Sequence, residues 1–283
     1  MNSMLRKNLT AQESRTAGNE RAGAGQCPKT LADIAPESVL LAGAGRAILL
    51  QLAHPAVGYG VARHSSFATD PLKRLHGTLS YIYALSNGTP KQRKFMQRQV
   101  QRAHLPVKSL GSPGVPAYDA SATQLQLWVA ATLYESASQA YDAVFPALSA
   151  ADAESVYQSY AVLGTALGMP ADLWPATRSD FATYWERQLE LLSVDGTVRG
   201  VAQELLAATH APLWVKALMP LARFLTTGML PPAVRDMYGF KWTPHKDRLL
   251  RAVFRVAAVL VRITPRTIRH APMHFYLNRI PVS

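Results

Sequence analysis

The chain has 283 residues, 48% hydrophobic and 17% charged, with 30 Lys/Arg against 18 Asp/Glu for a formal net charge of +12. That apolar content is enough for a sizeable core. The single cysteine, Cys27, excludes an internal disulfide framework and a cysteine metal cluster, and no apolar run reaches the ~18 residues that a membrane-spanning helix needs.

Residues 1–35 open with a polar, Gly/Ala-rich segment that has no apolar stretch after Arg6 and Lys7. This excludes a secretory signal and predicts a disordered leader, with cytoplasmic residence as the default. From residue 36 to 283 the apolar positions recur at helical spacing, without alternating β-branched runs, so an all-α fold in a single large helical domain is expected. Val39 to about Ala62 reads as helix interrupted at His54-Pro55, because Pro55 removes a donor and restricts the residue before it. Thr69-Asp70-Pro71 is a cap followed by Pro, and starts a helix that runs to Asn87-Gly88. Thr89-Pro90 repeats that signal for a helix ending near His104. Lys108 to Ala120 is rich in Gly and Pro and reads as a loop. Further helices are expected at Ser121 to Phe145, Ala151–Leu167, Ser179–Leu192 and Thr197–Ala208, in a Pro-interrupted stretch from Leu213 to Met229, and at His245–Ile263.

Within these elements a few polar residues stand where a plain core would have none. Gln51 and His54 lie inside the apolar run Ala47 to Val57, where they form either a satisfied core pair beside the kink or part of a site. Arg74 and Thr78, four apart, share one helix face, whereas His76 points elsewhere. Gly43-Ala44-Gly45 begins like a dinucleotide fingerprint, but Ile48 takes the third glycine position and no strand precedes it, so close helix packing is the better reading. His270 and His274 have the spacing of a helical metal pair, yet Pro272 lies between them and no acid is near, which favours a solvated or lipid-facing tail.

From Arg235 onward the chain is strongly basic, its only acids being Asp236 and Asp247. Such a charge can meet nucleic acid, anionic lipid or solvent, and without zinc-finger spacing, RNP aromatics or basic-zipper heptads nucleic acid is the weakest of these readings. Arg248, Arg251, Arg255 and Arg262 interleave with Leu250, Val253, Phe254, Ala257 and Leu260, a basic amphipathic pattern. It fits either a core helix with a solvated arginine side or peripheral contact with anionic lipid.

The succession LLQLAHPAV, HSSFATDPLKRLHGT, then His104 and Lys108, resembles the MpaB-type oxygenases. That family includes rubber oxygenases (latex-clearing proteins) and a fungal oxygenase of mycophenolic acid biosynthesis. The similarity continues through LWVAATLYESASQAYD, LGTALGMP and Leu230-Pro231-Pro232, and covers roughly Glu37 to Gly239. The resemblance implies an all-helical fold holding haem b, with iron-dependent dioxygen chemistry on an apolar, terpenoid- or lipid-like small molecule. It implies His104 as the iron ligand and Arg74 and Thr78 as the first and last residues of a distal Arg-x-x-Lys-Thr motif. Lys108 stands where a second basic residue is expected, and Gln51 and His54 match a Gln-x-x-His-Pro signature. On this pattern Arg74, Thr78 and His54 are the catalytic candidates, while His104, Lys108, Arg74 and Gln51 are the cofactor-binding ones.

Two positions depart from the pattern: Gly77 replaces the motif lysine, and Ala130 replaces a histidine found in many relatives. Between His54 and Arg74 the only acid is Asp70, read here as a cap, so no catalytic carboxylate is assigned. These departures point toward haem retention more than toward polyisoprene cleavage. A haem-binding or sensing protein without turnover is the alternative.

Overall fold

The structure, a computed structural model, describes residues 28–64, 71–209 and 211–281, with backbone alone at 71–73. Cys27, the Thr69-Asp70 cap and His210 lie outside the described residues, as does the leader through residue 27.

Helix α1 (Leu31–Ile34) is followed by a 3-10 helix (Ser38–Gly43) that leads into α2 (Ala44–Ala53) and α3 (Pro55–His64). Leu31 and Ile34 are buried, so the packed unit begins before the expected boundary at residue 36. The expected long helix divides at His54, whose ψ of 119° is the extended conformation that a following proline imposes. The two halves meet at a bend of 100°. Helices α4 (Pro71–Asn87) and α5 (Pro90–His104) end close to where their stop signals stand. The Thr89 side chain accepts from the Gln92 N–H and forms a full capping box at the start of α5.

The expected loop after His104 contains a two-residue ladder, β1 (Lys108–Ser109) against β2 (Tyr118–Asp119), antiparallel with Lys108 opposite Asp119. Gly111 and Gly114, at φ of 83° and 76°, make the turn that closes it.

Helix α6 (Thr123–Asp142) is the central element, with Trp128 fully buried at its middle. It is followed by α7 (Ala150–Ser159), α8 (Val162–Thr165), α9 (Arg178–Glu190), α10 (Gly196–Ala207), α11 (Leu213–Met229) and α12 (Pro232–Met237). The chain then forms α13 (Pro244–Ile263), α14 (Arg266–Arg269) and α15 (Ala271–Leu277). The fold is all-α, a single helical domain. Its core centres on α2 packed between α6 and α11, while α4 packs on α5 and α15.

The tail differs from the expected solvated segment. Pro272 stands in the first turn of α15, where its missing N–H is no loss, so a regular helix forms after all. Arg269 and His270 hold the Glu37 carboxylate at 2.7 and 3.1 Å, and Met273 packs with Leu79 and Tyr83 of α4. The tail is therefore fastened to both α4 and the beginning of the domain.

Gly43 and Gly45 serve helix packing, as the sequence indicates. A Cβ on Gly43 would stand 2.5 Å from the Ser136 carbonyl oxygen, and one on Gly45 would stand 1.9 Å from Thr226 Oγ1. Gly77, at the middle of α4, has nothing within 4 Å of such a Cβ. Gly45→Ala is therefore predicted to destabilise the fold by about 1–3 kcal/mol through overpacking. Gly77→Ala should stabilise it by about 1 kcal/mol through helix propensity alone. Denaturant titration of the two variants checks both signs.

Candidate functional site

The break between α2 and α3 decides where His54 goes. With the helix interrupted, the freed Ala53 carbonyl accepts from the Ser193 N–H at 2.9 Å and the His54 carbonyl accepts from the Gly58 N–H at 2.8 Å. The imidazole is carried inward against Trp128, ring centres 6.2 Å apart, and its Nδ1 has no hydrogen-bond partner among the described residues. Burial holds this imidazole below its ordinary pKa.

Gln51 and His54 do not pair through their side chains. The Gln51 amide donates instead to Thr132 Oγ1 of α6 at 3.0 Å, and Thr132 donates onward to the Val129 carbonyl at 2.7 Å. One turn earlier on α2, the buried Arg46 donates to the Met229 carbonyl at 2.9 Å and to Ser136 Oγ at 3.0 Å. It also faces Glu135 at 3.5 Å. Desolvation lowers the Arg46 pKa and raises that of Glu135. A polar layer thus crosses the interface of α2, α6 and α11 through an otherwise apolar core.

Arg74 and Thr78 sit on α4, and His104 closes α5, the helix packed against it. Desolvation pushes the Arg74 guanidinium down to about 10. His104 is held below its ordinary range by desolvation first and then by the positive charge of Arg74. These two sequence candidates therefore share one electrostatic environment, and the imidazole is kept neutral there. A neutral imidazole is the form that ligates a metal.

Two cavities border this region. A recess of about 390 Å³ opens at the end of α5, lined by His104, Arg98, Arg102, Gln126 and Leu167 among others. Gln126, which also lines this recess, is buried, and its Oε1 accepts no hydrogen bond among the described residues. The second, about 90 Å³, lies between α2, α4 and α6, with Ile48, Ile82, Leu133 and Leu163 in its apolar wall. Gln51 and Thr78 both reach this apolar cavity. Among the described residues, no Asp or Glu lines either one.

The candidates accordingly fall into groups. Gln51 and Thr78 meet at the apolar cavity, whereas His104 lines the recess and feels the charge of Arg74, which lines neither cavity. His54 lies apart, against Trp128. Lys108 is exposed on β1 and lines neither cavity. His76 turns away, as its helical position requires, and its Nδ1 lies 2.6 Å from the Tyr276 hydroxyl. Ala130 is buried in the core on α6. Among the described residues, no three His, Cys, Asp or Glu side chains converge to hold a metal ion.

Sequence reasoning missed Arg46 and Gln126. Arg46 was detectable as the one charge in AGRAILLQLA, but Gln126 carries no signal before the fold brings α6 and α5 together.

The state of His54 has a pH consequence. Its native pKa lies below the ordinary 6.5, so in the window between them the unfolded chain binds more protons at this position than the native one. Stability therefore falls as pH drops through that window, and the loss is complete below the native value. His54→Gln should show a shallower decline than the unmodified protein in denaturant titrations between about pH 5 and 8. Parallel curves would contradict the burial of a neutral imidazole.

Residues 33–262 match the model of a family described as "ER-bound oxygenase mpaB/B'/Rubber oxygenase, catalytic domain". The chain is also similar to uncharacterized protein Rv2237 of Mycobacterium tuberculosis and uncharacterized protein Mb2261 of Mycobacterium bovis. Each is 33% identical over 223 residues, 77% of this chain and 87% of the relative. No solved structure matches. With most of its length inside that match, and with the motif residues on adjoining helices of one helical domain, the chain belongs to the MpaB and rubber oxygenase catalytic-domain family.

Proposed function

We propose that the protein is a haem b-dependent oxygenase acting on an apolar small molecule, with His104 as the iron ligand. The observation that carries this reading is a partly buried His104, kept neutral by desolvation and by the charge of Arg74, at a recess of about 390 Å³. That volume is within the ~300–1,000 Å³ typical of cofactor sites.

The residues present fit such a group. An imidazole held neutral offers a lone pair to iron, and Gln126 Oε1 is an unused acceptor at the same recess. Arg98 and Arg102 on the rim suit an anionic substituent such as a propionate. When bound, haem would supply the iron chemistry by which this family activates dioxygen.

The remaining work falls to the chain itself. Arg74, already a desolvated cation, can stabilise negative charge without reorganising. Thr78 brings a hydroxyl to the apolar cavity, where it can donate to or accept from a polar atom of the substrate. The wall formed by Ile48, Ile82, Leu133 and Leu163 makes this small cavity apolar, suited to an apolar portion of a terpenoid- or lipid-like molecule.

Binding without turnover is the second reading, and two observations favour it. Among the described residues no carboxylate lines either cavity, so none of them offers a base of that type there. At position 77 the motif lysine is replaced by a glycine facing open space.

Reconstitution of the full chain with haemin is expected to give a Soret band at one haem per chain. Arg74→Ala should weaken haem affinity about tenfold, the effect of losing one charge-assisted contact. Absence of a Soret band would overturn the proposal. Oxygen uptake with terpenoid and fatty-acyl substrates separates the two readings: uptake supports the oxygenase, and none despite bound haem supports binding alone.

A further inference from the structure

The longest C-terminal helix has more apolar surface than the fold uses. Along α13, Leu250, Val253, Phe254, Ala257 and Val261 turn toward the protein, with Phe254 buried. A second apolar row, Leu249, Val256, Val259, Leu260 and Ile263, repeats at helical spacing and stays in solvent. Val256 is 59%, Leu260 52% and Ile263 72% exposed. Scattered exposed apolar residues need no explanation, but a row this long along one helix does.

The neighbouring helix repeats the feature. Helix α11 packs against α13 through Gly228, which faces Leu250, and against the segment just before α13 through Gly228 and Phe224 on Trp242, the two rings 5.3 Å apart. Its own exposed row is Trp214, Leu218 and Leu221, with Trp214 66% exposed. Trp is favoured at membrane interfaces, where its ring is apolar and its N–H remains wet.

Charge identifies what meets this surface. Arg248, Arg251, Arg255 and Arg262 are all exposed and form a row running beside the outward apolar row of α13. Between Leu213 and Ile263 the only acids are Asp236 and Asp247, and Asp247 accepts a hydrogen bond from the Trp242 indole. A second copy docked face to face would bring two arginine rows together with no acidic row to oppose them. An anionic lipid surface satisfies both rows at once, taking the apolar side chains below the headgroups and the guanidinium groups among the phosphates.

We infer that the exposed faces of α11 and α13 form a docking surface for anionic membranes, with both helices lying in the plane of the interface. The surface is separate from the His104 recess, so it is independent of haem binding.

Flotation of the full chain with phosphatidylcholine vesicles, with and without phosphatidylglycerol, tests the inference. Binding is expected only with the anionic lipid, with loss on raising the salt concentration. Each arginine neutralised among Arg251→Gln and Arg255→Gln should weaken partitioning about fivefold. Val256→Asp with Leu260→Asp should abolish binding, whereas Leu110→Asp, at a fully exposed site on the hairpin, should leave it unchanged. All these substitutions are at exposed positions, and thermal unfolding verifies that each variant is folded. Three results would each overturn the inference. One is no flotation with anionic vesicles at low salt. Another is flotation that survives the double aspartate variant. The third is a self-association that this variant dissolves while vesicles bind neither form.

Discussion

Arg46 is buried on α2 with its guanidinium spread over Met229 of α11 and Ser136 and Glu135 of α6. An arginine taken that far from water costs several kcal/mol unless acceptors meet it in good geometry. Those acceptors belong to different helices, so satisfying one cation fixes α2 against both α6 and α11. The close approach this requires is possible because Gly43 and Gly45 leave no side chain between the helices. Gln51 and its bond to Thr132 then follow one turn later, and the apolar cavity is what remains between this interface and α4.

The other constraint is the Pro55 break, which turns the chain by 100° directly after the buried stretch. A continuous helix would have carried residue 54 along the same axis. The break instead drives His54 against Trp128, where its neutral form is favoured. On α4 and α5 a comparable effect arises: desolvation lowers the pKa of both Arg74 and His104, and the charge of Arg74 further disfavours protonation of His104. A neutral imidazole at the end of α5 is in the form that can engage a ligand.

Helix boundaries were largely legible in the sequence because they rest on local chemistry. Thr89-Pro90 caps α5 as its residues indicate, and His54-Pro55 breaks the first long helix for a steric reason that needs no tertiary context. The tail was misread because Pro272 is disruptive inside a helix but harmless in its first turn, and only the fold shows which applies. Glu37 and its clamp by Arg269 and His270 join residues more than two hundred positions apart, a distance at which no spacing rule operates. The site was legible in part. Arg74, Thr78 and His104 could be named from a motif and a spacing, whereas the partner of Gln51 and the unused acceptor on Gln126 depend on α6 lying across α2 and α5. Lys108 stands in the expected place in the chain, yet the hairpin holds it outside both cavities.

The central claim is that His104 is the group through which this fold engages haem iron. Replacing it by glycine removes the imidazole and leaves space for an exogenous one. For His104→Gly reconstituted with haemin, the account predicts an altered or absent Soret band that returns to the wild-type position on addition of imidazole. A variant spectrum identical to that of the unmodified protein, with no response to imidazole, would contradict it.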